Sequence, residues 1–158
     1  MRDYLLKLLV HDYWANRRLF ESLDALPWVP PRTRQLCGHI FAAHQFMDKR
    51  LHSQPVDFAA FDFFPDYSLD RCKVLSEEYG ARWPKFVKLL PEPLSEVSVS
   101  FYAPDGTPRK TAVVDALTHL YTHSIHHRGQ IAVDLRAAGF EPVNTDYITF
   151  CREAAQGA

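Results

Sequence analysis

The amino-acid sequence predicts an all-α fold in which one domain, residues 1–158, forms a single bundle of helices. Several long segments repeat apolar residues at helical spacing, and prolines, glycines and short polar stretches separate them. The 158 residues suffice for one continuous hydrophobic core. Apolar residues make up 47% of the chain and charged residues 23%, which is the composition of an ordinary globular domain.

Two helices are predicted in the first third of the chain. The first runs from about Arg2 to Leu23 and ends before Pro27 and the proline pair at residues 30–31. The second runs from about Arg32 to His52 and is apolar on most of its circumference, so we expect it to be buried between neighbours.

The segment 53–67 is predicted to be a loop rich in aromatic residues. So many aromatic side chains are too apolar to remain in water, and we expect them to cover a functional site or a subunit contact. The residues concerned are Phe58, Phe61, Phe63, Phe64 and Tyr67.

A third helix is predicted from an N-cap at Ser68 to about Leu90. Gly80 and Pro84 both disfavour a regular helix, and they predict a kink or an early stop near Trp83.

In the last third of the chain, the spacing of apolar residues first changes from helical to alternating and then returns to the strongest helical pattern of the sequence. Residues 91–110 alternate apolar and polar side chains around a Pro-Asp-Gly turn, which predicts a short hairpin or an extended linker. Helix four is expected from about Thr111 to Ala138, with Gly139 in the left-handed C-cap conformation. Asn144 or Thr145 is expected to cap a last short helix.

Charge and cysteine content exclude several classes of partner. Lys and Arg number 18 and Asp and Glu 19, so neither nucleic acid nor an anionic membrane is expected as the main partner. The three cysteines are far apart and form no CxxC pair, which fits a reducing cytoplasm without disulfides. No stretch approaches the roughly 18 apolar residues of a membrane span. We therefore expect a soluble, cytoplasmic protein.

Four histidines lie within nine residues of helix four, at positions 119, 123, 126 and 127. His123 and His127 are one turn apart and about 40° apart around the helix, so both imidazoles can reach one metal ion. Apolar residues on the same side indicate that the pair points into the bundle. His119 and His123 form a rival pair, whereas His126 is expected to reach solvent or a neighbouring polar group.

A third ligand is expected from helix two, which offers His39, His44 and His52. His39 and His44 lie about 140° apart around the helix, so only one of them can face the ion. His44 could instead pair with Asp48 one turn later or belong to an alternative set of ligands. Helical periodicity does not separate His39 from His44, and His11 is expected to be structural.

The sequence His-Ser-Ile-His-His-Arg-Gly-Gln-Ile at residues 123–131, together with Gly38-His39-Ile40, resembles the DinB/YfiT-like family of metal-binding proteins. The resemblance covers the whole chain in the order of its elements. It implies a four-helix bundle of the up-down-down-up type, often a homodimer, with His39, His123 and His127 as the metal ligands.

Two further residues belong to this motif, Gly129 and Gln130. Mid-helix glycine costs about 1 kcal/mol relative to alanine, so Gly129 is expected at a close approach between helices. Gln130 is expected either to steady a ligand or to form a hydrogen bond to a loop.

Three neutral imidazoles would leave a Zn²⁺ or Ni²⁺ ion with open positions, which favours an enzyme acting on a small molecule. The resemblance implies thiol-dependent S-transfer or metal-dependent hydrolysis, and we expect transfer involving a low-molecular-weight thiol ahead of hydrolysis. No general base accompanies the histidines, which disfavours a peptidase. The alternative is a metal-binding dimer without catalysis, in stress response or metal handling. No catalytic residue is assigned.

Overall fold

The computed structural model describes residues 1–156, so the last two residues of the predicted domain lie outside it. The fold is mostly helical, and the predicted hairpin is confirmed. In chain order the elements are α1 (Arg2–Asp24), α2 (Pro31–Leu51), α3 (Leu69–Leu89), a short 3-10 turn (Leu94–Glu96), β1 (Ser98–Tyr102), β2 (Pro108–Ala112), α4 (Val113–Ala137) and α5 (Tyr147–Gln156). The two strands are antiparallel, with Ser98 opposite Ala112 and Tyr102 opposite Pro108.

The ends of the helices follow local sequence signals. Pro31 occupies the first turn of α2, where its missing N–H leaves no hydrogen bond unmade. Ser68 caps α3, as predicted, and its hydroxyl oxygen accepts the backbone N–H of Arg71 at 3.1 Å. Gly139 follows α4 with a φ of +84°, the left-handed conformation that was expected there.

The four long helices surround one hydrophobic core. Helix α1 packs against α3 and α4, and helix α2 packs against the same two helices. The largest fully buried apolar side chains are Leu23, Ile40, Phe41, Leu75, Val87, Leu94, Val113, Leu117, Leu120, Ile131 and Leu135. Within residues 1–156, no helix combines the length and the apolar character that a membrane span requires.

Helix α3 ends at Leu89, close to the predicted end at about Leu90. The early stop near Trp83 is wrong, because α3 continues through Gly80 and Pro84. Trp83 and Val87 are 2% and 0% exposed, so burial of their side chains offsets the hydrogen bond that the proline cannot donate. Gly80 has a packing role, since a methyl group there would collide with the ring of Tyr13.

The close helix approach expected at Gly129 is also wrong. Gly129 is exposed, and a methyl group at this position would meet no atom within 4 Å outside its own helix. Packing therefore gives no reason for glycine at this place in the motif.

A buried polar network connects α1 and α4 inside the core. Nη1 of Arg128 donates to Oδ1 of Asp12 at 2.6 Å and to Oδ1 of Asn16 at 2.8 Å. All three residues are at most 5% exposed. Removing one partner of such a buried ion pair strongly destabilises the fold, because the remaining charge is still desolvated and has no counterion.

His44 extends this network to α2 and α3. The indole N–H of Trp83 donates to Nδ1 of His44 at 2.8 Å, so the ring proton must lie on Nε2. Nε2 faces the hydroxyl of Ser124 at 3.4 Å and the carboxylate of Asp12 at 3.6 Å. Burial lowers the pKa of His44 to about 4, so the imidazole is neutral near pH 7.

His11 is structural, as expected. Its Nε2–H donates to the backbone carbonyl of Thr145 at 3.0 Å, and the hydroxyl of Tyr121 donates to Nδ1 at 3.1 Å. The side chain is 1% exposed and anchors the segment before α5 to α1.

Two of the helical glycines, Gly80 and Gly129, predict opposite effects of substitution by alanine. Gly80→Ala should lower the free energy of unfolding by about 1–3 kcal/mol, because the new methyl group overpacks against Tyr13. Gly129→Ala should raise it by up to about 1 kcal/mol, because alanine is the better helix former and space is available. Urea denaturation of both variants measures the difference, and a loss of equal size in both would contradict this description of the packing.

The buried neutral His44 predicts a pH dependence of stability. Its folded-state pKa of about 4 lies below the unfolded value of about 6.5, so its contribution is present above pH 6.5 and is lost as the pH falls toward 4. The slope of the unfolding free energy against pH measures how many protons the chain takes up when it unfolds. In metal-free protein, His44→Gln should lower this number by up to about one in this pH window. An unchanged slope in urea denaturation at several pH values would show that His44 is not the group that titrates.

Candidate metal centre

The structure brings three of the predicted residues together, His39 from α2 and His123 and His127 from α4. One ring nitrogen of each residue lies within 4.8 Å of the others, and all three side chains are partly buried. The ring centre of His39 is 4.9 Å from that of His123 and 4.5 Å from that of His127. Their assignment as metal ligands stays a proposal.

The two histidines of α4 face each other as their spacing predicts. The Nε2 atoms of His123 and His127 are 3.1 Å apart, and the ring centres are 4.3 Å apart. Two nitrogen ligands on a tetrahedral Zn²⁺ ion with Zn–N bonds of about 2.0–2.1 Å would be roughly 3.3 Å apart. The observed separation therefore suits two ligands of one ion.

The aromatic loop covers this group, which is one of the two roles expected for it. Nδ1–H of His39 donates to the backbone carbonyl of Phe63 at 2.6 Å. The ring of Phe64 stacks on the imidazole of His39, with centres 4.2 Å apart and planes 6° apart. The loop therefore fixes both the rotation and the tautomer of His39, and it leaves the Nε2 lone pair free.

Gln130 fixes the rotation and the tautomer of His127, as the loop does for His39. Nδ1–H of His127 donates to Oε1 of Gln130 at 2.8 Å, and the amide of Gln130 donates to Nε2 of His126 at 3.0 Å. Gln130 thus steadies a candidate ligand, one of the two roles expected for it, and His126 holds Gln130 in place.

The donor set fits a divalent cation. The hydrogen bonds at Nδ1 leave Nε2 of His39 and of His127 unprotonated, and Nε2 of His127 faces Nε2 of His123 at 3.1 Å. Nδ1 of His123 is buried and has no hydrogen-bond partner among residues 1–156. A cation bound at the Nε2 atoms would use the lone pairs of the rings at once, with the ring proton of His123 on Nδ1.

The surroundings of His123 and His127 favour the neutral imidazole, which is the form that binds metal. Burial lowers the pKa of His123 to about 3, and repulsion from His127 and His39 acts in the same direction. Burial also lowers the pKa of His127 below its usual value. Partial burial and the closeness of the rings therefore disfavour protonation of His123 and His127 and favour a shared cation.

The alternative ligands lie elsewhere. Both ring nitrogens of His44 face protein groups, so His44 does not join the three-histidine group. Its predicted pairing with Asp48 is wrong, because the carboxylate of Asp48 contacts Arg82 and His52 instead. His119 is exposed, with its ring centre 5.9 Å from that of His123, and it lies outside the group.

Two supports of the site were not predicted individually. The carbonyl of Phe63 and the ring of Phe64 orient His39, although the sequence indicated only that aromatic residues gather in this loop. The excess of aromatic residues before α3 was the available signal. No periodic pattern identifies which backbone carbonyl of a loop meets a histidine 24 residues earlier.

Comparisons with known proteins identify the family of this chain. Protein DinB of Bacillus subtilis (strain 168) is 25% identical over 173 aligned positions that cover 93% of this chain and 93% of that protein. The model of the DinB family matches residues 31–158, which include α2, α4 and all three histidines of the group. The chain therefore belongs to the DinB family.

Proposed function

We propose that this protein is a metal-dependent enzyme that acts on a small molecule at His39, His123 and His127. The observation that carries the proposal is the convergence of three imidazoles, two of which donate a hydrogen bond from Nδ1 and so present an unprotonated Nε2. Membership of the DinB family supports it. Three nitrogen donors suit Zn²⁺ or Ni²⁺ better than Mg²⁺ or Ca²⁺, which prefer oxygen ligands.

We propose thiol-dependent S-transfer ahead of hydrolysis. A bound divalent ion would act as a Lewis acid that lowers the pKa of a thiol or of water. A thiol, with a pKa near about 8.5, needs less activation than water at about 15.7. Among the described residues, the group of potential ligands contains no carboxylate that would serve as a general base for hydrolysis. These two facts favour a low-molecular-weight thiol as a co-substrate.

The residues around the histidines support an enzyme through orientation. Phe63 and Gln130 hold the rings of His39 and His127 by hydrogen bonds at Nδ1, and Phe64 shields one face of His39. Rings held in this way keep their lone pairs directed at one point while substrates exchange.

The second candidate function is a metal-binding protein without catalysis, as in stress response or metal handling. The absence of a carboxylate from the ligand group favours it equally. Phe64 beside the group is 51% exposed, which would suit contact with another molecule. Turnover distinguishes this candidate from the enzyme.

We also propose a single-domain four-helix bundle of the up-down-down-up type and a homodimer. The packing of α1 and α2 each against both α3 and α4 supports the bundle. The homodimer rests on the family resemblance.

Metal analysis of purified variants tests the ligands. Wild-type protein should hold about one ion per chain, and His39→Ala, His123→Ala and His127→Ala should each bind at least about 100-fold more weakly. His119→Ala is the matched control, since it removes an exposed histidine from the same helix, and it should retain the ion. Loss of the ion in His119→Ala together with retention in His39→Ala would overturn the proposed set.

Turnover tests the reaction. The metal-loaded protein is incubated with a thiol such as glutathione or cysteine and with an electrophile such as 1-chloro-2,4-dinitrobenzene. We expect product formation that requires the metal and falls about 10–100-fold in Gln130→Ala, because His127 loses the partner that orients it. Metal-dependent ester hydrolysis without thiol would favour the hydrolase. Retention of one ion with no turnover in either assay would favour the non-catalytic protein.

A further inference from the structure

A cavity of about 680 Å³ lies between the end of α2, the loop that follows it and the hairpin. This volume falls within the range of small-molecule sites. Its walls are largely apolar, with polar groups at Ser53 and Gln54. The lining side chains with large apolar surfaces include Val56, Phe58, Phe101 and Tyr102.

Arg50 contributes the one basic side chain among the residues that line this cavity. Within residues 1–156, its guanidinium forms no ion pair with a carboxylate, in contrast to Arg82 and Arg128. Its Nε is buried and has no hydrogen-bond partner in the described part of the chain. At least the Nε–H donor of this guanidinium is thus left without the acceptor that it normally finds.

Aromatic rings hold this guanidinium in place. Its Cζ lies 4.3 Å from the ring centre of Phe46, 4.1 Å from that of Phe101 and 5.5 Å from that of Phe58. These cation–π contacts fix the orientation of the group but satisfy none of its N–H donors. The orientation of the guanidinium is therefore fixed before a planar acceptor binds to it.

Neither of the two nearby carboxylates in the described part of the chain forms an ion pair with Arg50. Asp57 lines the same cavity, but its Oδ1 accepts the backbone N–H groups of Ala59 and Ala60 at 3.0 and 3.3 Å. Asp48, two residues before Arg50, contacts Arg82 and His52. Burial lowers the pKa of Arg50 from its usual value, which reflects the cost of a desolvated cation without a counterion.

We propose that this cavity binds a small organic oxyanion, a carboxylate or a phosphate monoester with an apolar body. The oxyanion would accept hydrogen bonds from Arg50, and the apolar part would pack against Phe58, Phe101 and Val56. Carboxylate and phosphate share the planar pair of oxygens that a guanidinium recognises through two parallel hydrogen bonds.

This site is separate from the three-histidine group. Arg50 lies eleven residues after His39, which places the two about 16 Å apart along α2. The proposal therefore does not rest on the metal or on the proposed reaction. A single cation in a cavity also suits a small ligand better than nucleic acid, which needs many basic contacts.

Calorimetric titration of the full chain tests the site, with benzoate and phenyl phosphate as probes and benzamide as the neutral control. Arg50→Gln should weaken binding of the preferred anion by about tenfold or more, because charged hydrogen bonds are lost. Lys49→Gln removes a charge from the exposed neighbouring residue and should change the affinity less than about twofold. His123→Ala should bind the anion as the wild type does, since a metal ion plays no part.

The preference between benzoate and phenyl phosphate identifies the oxyanion, and saturable one-to-one binding of either supports the proposal. Arg50→Lys keeps the charge but loses the planar fork, so it should bind with intermediate affinity even if Arg50→Gln fails to fold. The proposal is overturned if neither anion binds, if benzamide binds as well as benzoate, or if binding is lost in His123→Ala and kept in Arg50→Gln.

Discussion

The buried ion pair between Asp12 and Arg128 is the constraint on which the arrangement of the helices depends. It joins α1 to α4, and the contacts of His44 with Asp12, Ser124 and Trp83 extend it to α2 and α3. Removing one member of this network would lower the free energy of unfolding, because the remaining buried charges and ring nitrogens would lack hydrogen-bond or ionic partners. One polar network therefore specifies how all four long helices meet.

This network also determines where the histidines of α4 point. Ser124 and Arg128 face the network, and each immediately follows one of the candidate ligands, His123 and His127. Consecutive residues of a helix point about 100° apart, so fixing the rotation at residues 124 and 128 directs 123 and 127 toward His39 on α2. The arginine of the motif thus positions the histidine before it through the core, with no contact to an ion.

The spacing of His123 and His127 on one helix face was sufficient to predict that they meet, because that contact is local. The choice between His39 and His44 was not local. Helix α2 is buried on both sides, and the decision depends on Phe63 and Trp83, which lie 24 and 39 residues away in sequence. The same reason explains why the early stop predicted near Trp83 does not occur, since the ring of Tyr13 occupies the space that Gly80 leaves. Local propensity could not reveal these tertiary contacts.

The function proposed for this protein requires three imidazole nitrogens to hold one divalent cation. X-ray absorption spectroscopy of the metal-loaded protein tests it most directly, because the spectrum reports the type, number and distance of the atoms around the ion. The structure predicts about three imidazoles with metal–nitrogen distances near 2.0–2.1 Å for zinc. Further oxygen or nitrogen atoms should complete the coordination shell. A shell of sulfur from the cysteines, or a shell with no imidazole contribution, would contradict the account.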